Sequence, residues 1–157
     1  MSPLIEILAG LAIFANAVIY GSDVFGAIVL RPAIAAVDDR TFTQLMGHVH
    51  RIADRRIAAI SIGGLIAAVA MSALAAASGH WVSTATAALA TLALIIFTGV
   101  CTRVSKPVNT ALTAAAIADR VPDDARELQA RWDFVIDLRV ALQTLALAAP
   151  CVGLAAA

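Results

Sequence analysis

The stretch RWDFVIDLRVALQTLALAAPCVGLAAA, Arg131–Ala157, decides the fold. From about residue 134 it has the length and apolar content of a bilayer-crossing helix, which needs roughly 20 residues for a 30 Å hydrocarbon core. Its entrance nevertheless carries Trp132, Asp133, Asp137, Arg139 and Gln143. Charge within an apolar helix is costly, and such residues face a bundle interior or reach back to the interface. At 100° per residue, Trp132, Ile136, Arg139 and Gln143 share a face within about 60°, whereas Asp137 lies roughly 160° from Arg139. Arg139 is therefore the inward residue of the two.

Three further stretches have the same character, at about 4–30, 56–77 and 81–102, with the fourth at about 134–157. Of the 157 residues, 61% are hydrophobic and 14% charged, against about 45–50% and 25% in soluble domains. The fold expected is all-α: a polytopic membrane protein forming one four-helix transmembrane bundle over 1–157, with long cytoplasmic helix extensions. MSPLIEILAG lacks the basic region of a secretory signal, so it is read as the first span, retained. A net charge of zero gives no global attraction for nucleic acid. Partners expected are the lipid bilayer and a lipophilic small molecule, and the chain is compatible with a homo-oligomer or a larger membrane complex.

Lys and Arg set the orientation. Arg31, Arg40, Arg51, Arg55 and Arg56 lie between the first two spans, and Arg103, Lys106, Arg120, Arg126 and Arg131 between the last two. AASGHWVS, between the second and third, has none. The positive-inside rule puts both long loops in the cytoplasm and both termini outside, in the plasma (inner) membrane. Cys101 and Cys151 then sit near opposite ends of the bundle, as free thiols.

Proline and capping residues mark the breaks. Pro32 is expected to end the first helix and SKPVN the third, with a short helix over about 108–118. Asp38, Asp39 or Thr41 can cap a second helix running to about residue 77. Pro122 suits the first position of the last helix, with Asp123 and Asp124 at its positive end. This helix runs to Pro150, which is expected to bend its outer end. No internal repeat is visible in the residues themselves.

Each span carries a polar seam. Asn16, Tyr20 and Asp23 fall within about 60°, and His50, Asp54 and Ser61 within about 40°. Thr91, Thr98, Thr102 and Ser105 form a milder stripe on the third span. Together with the Arg139 face and Asn109, the seams point to one pocket in the cytoplasmic half of the bundle, reached from the cytoplasm. The catalytic candidates are Asp23, His50, Asp54 and Arg139; the substrate-binding candidates are Asn16, Tyr20, Asn109, Trp132 and Gln143. A plainer role stands beside each: Asp23 as structural partner of Arg139, His50 and Asp54 as a solvated helix entrance, Trp132 as an interfacial belt residue. His48 points away from His50, and His80 belongs to the outer turn. HExxH, CxxC, phosphate loops and nucleophile elbows are absent. Glu6 and Glu127 are the only glutamates, too few for a di-iron carboxylate site. No cofactor is predicted; a metal or haem would have to use His50.

KPVNTAL (Lys106–Leu112) followed by RWDFVIDLRVAL (Arg131–Leu142) resembles the anthrone oxygenase-like family of small four-span membrane proteins. Members carry a Pro-x-Asn element after the third span and a Trp, then an Arg, at the start of the fourth. Pro107, Asn109, Trp132 and Arg139 match those positions, and GSDVFGAIVLRPAI is similar to the family's Gly-containing end of span one. The resemblance implies oxygen addition to polyketide-derived anthrones without a conventional metal or flavin. Asp137 stands where many members have His or Asn, so no role is carried over to it. What the resemblance implies is an oxygenase whose base is Asp23 or His50 with Asp54, with Arg139 and Asn109 holding an oxyanion and Trp132 stacking on the ring; the same residues equally fit a non-catalytic accessory subunit or small-lipophile-binding protein. A proton-coupled transporter is disfavoured by the dry outer halves of the spans.

Overall fold

The structure, a computed structural model, describes residues 2–156. Among these, four helices are long and apolar enough to cross a membrane: α1 (Pro3–Ala35), α2 (Asp39–Ala77), α3 (Trp81–Ile117) and α4 (Ala125–Ala155). Each packs against its sequence neighbours, and α4 closes the ring against α1, whereas α2 and α4 barely touch. The result is an up-down-up-down bundle in which every connection is short.

Two of the expected breaks are not breaks. α1 continues past Pro32 to Ala35, and α3 continues past Pro107 to Ile117. In each, a five-residue π-helical segment, Gly26–Leu30 or Cys101–Ser105, immediately precedes a basic residue and the proline. The Arg31 N–H bonds the Gly26 carbonyl and the Lys106 N–H bonds the Cys101 carbonyl, five residues back in both cases. A proline ring clashes with the carbonyl four residues earlier and supplies no N–H. Widening the preceding turn relieves that clash and lets the helix pass.

α2 starts where the capping residues suggest. Asp38 is its N-cap, accepting from the Thr41 N–H at 3.0 Å and the Thr41 hydroxyl at 2.6 Å. α4 begins at Ala125, after a turn in which the Pro122 carbonyl accepts from the Ala125 N–H, so Pro122 lies outside the helix. It runs through Pro150 to Ala155. The α2–α3 turn needs Gly79, whose φ of +73° is open to glycine.

The core is stacked in three layers. Ile5, Ala9, Met71, Ala75 and Ala87 pack at the end with the Gly79 turn. Ala12, Ala67, Ala93, Leu94, Phe97 and Ala146 fill the middle. Phe42, Met46, Leu112, Trp132 and Ile136 pack at the end that carries the basic loops. Alanine dominates the first two layers because helices in lipid gain most from close backbone approach. At the basic end arginines tie the loops together. Arg126 donates to Asp39 (2.7 Å) and to the Ile34 and Val37 carbonyls, with its guanidinium 4.8 Å from the Phe42 ring centre. Arg40 pairs with Asp119 and Arg31 with Asp133 and Asp137.

α2 buries residues against the bundle in two separate stretches. Its buried residues run from Phe42 to His50 and resume at Gly64; from Arg51 to Gly63 none is buried. Glycine makes both contacts. A Cβ on Gly47 would collide with the Leu112 carbonyl oxygen and the Ala116 Cβ, and one on Gly64 would lie 2.9 Å from the Ala15 Cβ. Thr113 secures the first contact by donating to the Gly47 carbonyl at 3.1 Å. Between these clamps α2 touches the bundle only through part-buried positions such as Ile57 and through Asp54, and a space is left beneath it.

Candidate functional site

That space is a cleft of about 960 Å³. Its walls are mainly apolar and come from all four helices, Ile19, Ile57, Leu65 and Phe97 among them. Val18, Phe25, Val49 and Ile62 line it and are also exposed on the outer faces of α1 and α2. The cleft is therefore open along those faces, where lipid would lie, and its lining also reaches the exposed Lys106 at the basic end, beside Met46 and Trp132.

At its depth is a buried ion pair. The Arg139 Nε and Nη2 donate to the two Asp23 carboxylate oxygens at 3.2 and 2.5 Å, and Nη1 donates to the Ser105 hydroxyl at 3.0 Å. The guanidinium lies between two rings, 5.1 Å from the Trp132 centre and 5.5 Å from that of Phe97. Bidentate geometry and aromatic faces are the surroundings in which arginine, rather than lysine, is held. The π segments place the partners: Asp23 comes just before the first, Ser105 closes the second, and Asn109 follows Pro107. A Cβ on Gly26 would be 3.2 Å from Trp132, so this glycine seats the indole.

The second polar group is Asp54, whose Oδ1 accepts from the Asn109 amide at 2.8 Å across α2 and α3. His50, one turn before Asp54, makes no hydrogen bond to it. Its ring sits 6.1 Å from that of Trp132, and its Nε2 is buried with no partner among the described residues. The Trp132 Nε1 and Asn109 Oδ1 are likewise buried and unbonded. Three unsatisfied polar atoms in one cleft are unusual, because each costs about 1–3 kcal/mol when left dry.

Asp23, His50, Asp54, Asn109, Trp132 and Arg139 thus line one cleft. Asn16, Tyr20 and Gln143 do not: Asn16 and Gln143 are fully buried and Tyr20 half-buried, all outside its lining. Asp137 is exposed and bonds Arg31, and His48 is exposed as its angle predicts. Sequence reasoning did not place Ser105 or Phe97 in the site; the Ser/Thr stripe pointed at the first, and nothing polar marks the second. Among the described residues no three His, Cys, Asp or Glu side chains are grouped as a metal would need. Compared with known proteins, the chain matches no family model, no curated protein and no solved structure.

Proposed function

We propose that this cleft is the site of a membrane-embedded oxygenase, resembling anthrone oxygenases, that takes a lipophilic aromatic carbon acid from the bilayer and oxidises it with O2. The observation behind this reading is the pairing of a side-opening apolar cleft with unsatisfied polar atoms around a buried guanidinium. A flat polycyclic ketone would enter between α1 and α2, place a ring against Trp132, and direct its oxygen at Arg139.

In the reaction a base removes a proton from the methylene carbon, and the electron pair delocalises onto the ring ketone oxygen. Donors fixed before the reaction stabilise that oxyanion. Arg139 has two N–H bonds left after its three hydrogen bonds to Asp23 and Ser105. The carbanion gives up electrons to O2 with formation of a C–O bond; protonation gives a hydroperoxide, and loss of water leaves a second ketone. One oxygen atom ends in the product and one in water, so O2 is the whole oxidant.

His50 is the base that this geometry favours, since Asp23 is committed to Arg139 and Asp54 to Asn109. Asp23 then acts by positioning the guanidinium. The plasma-membrane orientation, with basic loops in the cytoplasm and termini outside, belongs to the same proposal.

Oxygen uptake by the purified protein in lipid nanodiscs with anthrone tests it. Uptake above that of empty nanodiscs is expected, with a fall of roughly a hundredfold or more in His50→Phe, the scale of general base catalysis. No uptake, with anthrone nonetheless raising the unfolding temperature, would support the second reading, a non-catalytic lipophile-binding protein. The same cleft favours that reading too. Neither uptake nor stabilisation would end both.

A further inference from the structure

A second depression lies between α4 and the Arg103–Val108 part of α3. It has a volume of about 700 Å³ and is lined by Arg103, Val104, Pro107 and Leu128 together with Arg131 and Phe134. Arg103 and Arg131 are exposed, and neither has a hydrogen bond or an ion pair among the described residues. Arg31, Arg40, Arg126 and Arg139 are each paired with an aspartate, whereas Arg51, Arg55, Arg56 and Arg120, like these two, are unpaired among the described residues; of all these arginines only Arg103 and Arg131 line this groove. Two unpaired guanidiniums on facing helices therefore share one groove with no carboxylate in its lining.

The depth of the groove identifies its occupant. Arg103 follows the apolar run of α3 and Arg131 precedes that of α4, so both stand where the hydrocarbon ends. Phe134 is one turn deeper than Arg131, about 4.5 Å further into the apolar layer, and is 87% exposed. Positive charge at headgroup level above an aromatic, apolar trough is the arrangement an anionic phospholipid fits: phosphate between the guanidiniums, acyl chain along Val104, Leu128 and Phe134. Basic pockets between transmembrane helices bind acidic headgroups in this way.

We propose that this groove is a binding site for an anionic phospholipid. It is independent of the cleft's function. Native mass spectrometry of the full chain released from detergent tests it, with phosphatidylglycerol, phosphatidylcholine or inorganic phosphate added. Retention of phosphatidylglycerol over phosphatidylcholine is expected, weakened roughly fivefold for each arginine replaced in Arg103→Gln and Arg131→Gln. The charge-matched control Arg55→Gln with Arg56→Gln should leave retention unchanged, and the unfolding temperature of each variant shows that it remains folded. Equal loss in the control would overturn the proposal, since the attraction would then be diffuse. So would equal retention of both lipids, or phosphate binding as tight as that of the lipid. A dimer abolished by Phe134→Ser and indifferent to lipid would overturn it as well, by giving the groove to a second copy.

Discussion

Arg139 is the residue on which the interior depends. It is 9% exposed and Asp23 3%, so each is tolerable only because the other neutralises it. Removing one partner of such a pair costs about 3–5 kcal/mol, whereas replacing both with apolar residues of similar size is nearly neutral. Asp23→Leu and Arg139→Met are each expected to lose stability on that scale, and the double variant to recover most of it, as read from unfolding in mixed micelles. An additive double variant would mean that the two do not act as a unit. His50→Phe should behave differently. It removes an unsatisfied nitrogen and keeps the ring, so stability should hold or rise while the activity of the cleft falls; a large loss of stability would show that the imidazole is structural.

At the scale of elements, the helices and their register were legible in the sequence, and the π segments were not. Hydropathy and angular position place Arg139 inward and Asp137 outward, which is where the two side chains lie. Proline was misread because its steric rule concerns one turn, and widening that turn satisfies the rule without ending the helix. A signal was present: Arg31-Pro32 and Lys106-Pro107 occupy the same place at the ends of the two odd-numbered spans. The stand-off of α2 was also hidden, because it depends on which glycines meet a neighbour. Gly64→Ala should lower stability by at least 1 kcal/mol, the lower end of overpacking costs. Gly63→Ala, whose Cβ meets nothing within 4 Å, should be neutral or stabilising, since alanine is the better helix former. Equal effects at the two positions would contradict the clamp. The cap of α2 carries a pH signature. Hydrogen bonds from the Thr41 hydroxyl, then the Thr41 N–H, hold the Asp38 carboxyl below the usual carboxylate range. A lowered carboxylate contributes stability above its ordinary value and loses it as pH falls through the lowered one. The deficit of Asp38→Ala in thermal unfolding should therefore be present at neutral pH and shrink well below about pH 4; a deficit independent of pH would assign it to lost helix propensity instead.

For the whole molecule, four helices in a ring bury their polar seams against one another, and six of the nine side chains picked out from the sequence face one cleft. Helical angle reports direction but not depth: Asn16 and Gln143 point inward and are buried, yet lie outside the cleft's lining. The placement of the arginines makes a topological prediction. In a chain with Cys101→Ser and Cys151→Ser, which removes the two native thiols, Ser78→Cys should react with a membrane-impermeant maleimide on intact cells, and Asp123→Cys only after permeabilisation. The reverse pattern would invert the orientation. The central claim is that α2 is held off the bundle to leave room for a lipophilic guest above the Arg139–Asp23 pair. A density map of the protein in nanodiscs with anthrone tests this most directly. Planar density is expected beside Trp132 and Arg139, with residues 51–63 of α2 touching the bundle through Asp54 and Ile57 but leaving the cleft open; a map in which that segment packs into a closed, guest-free core would contradict it.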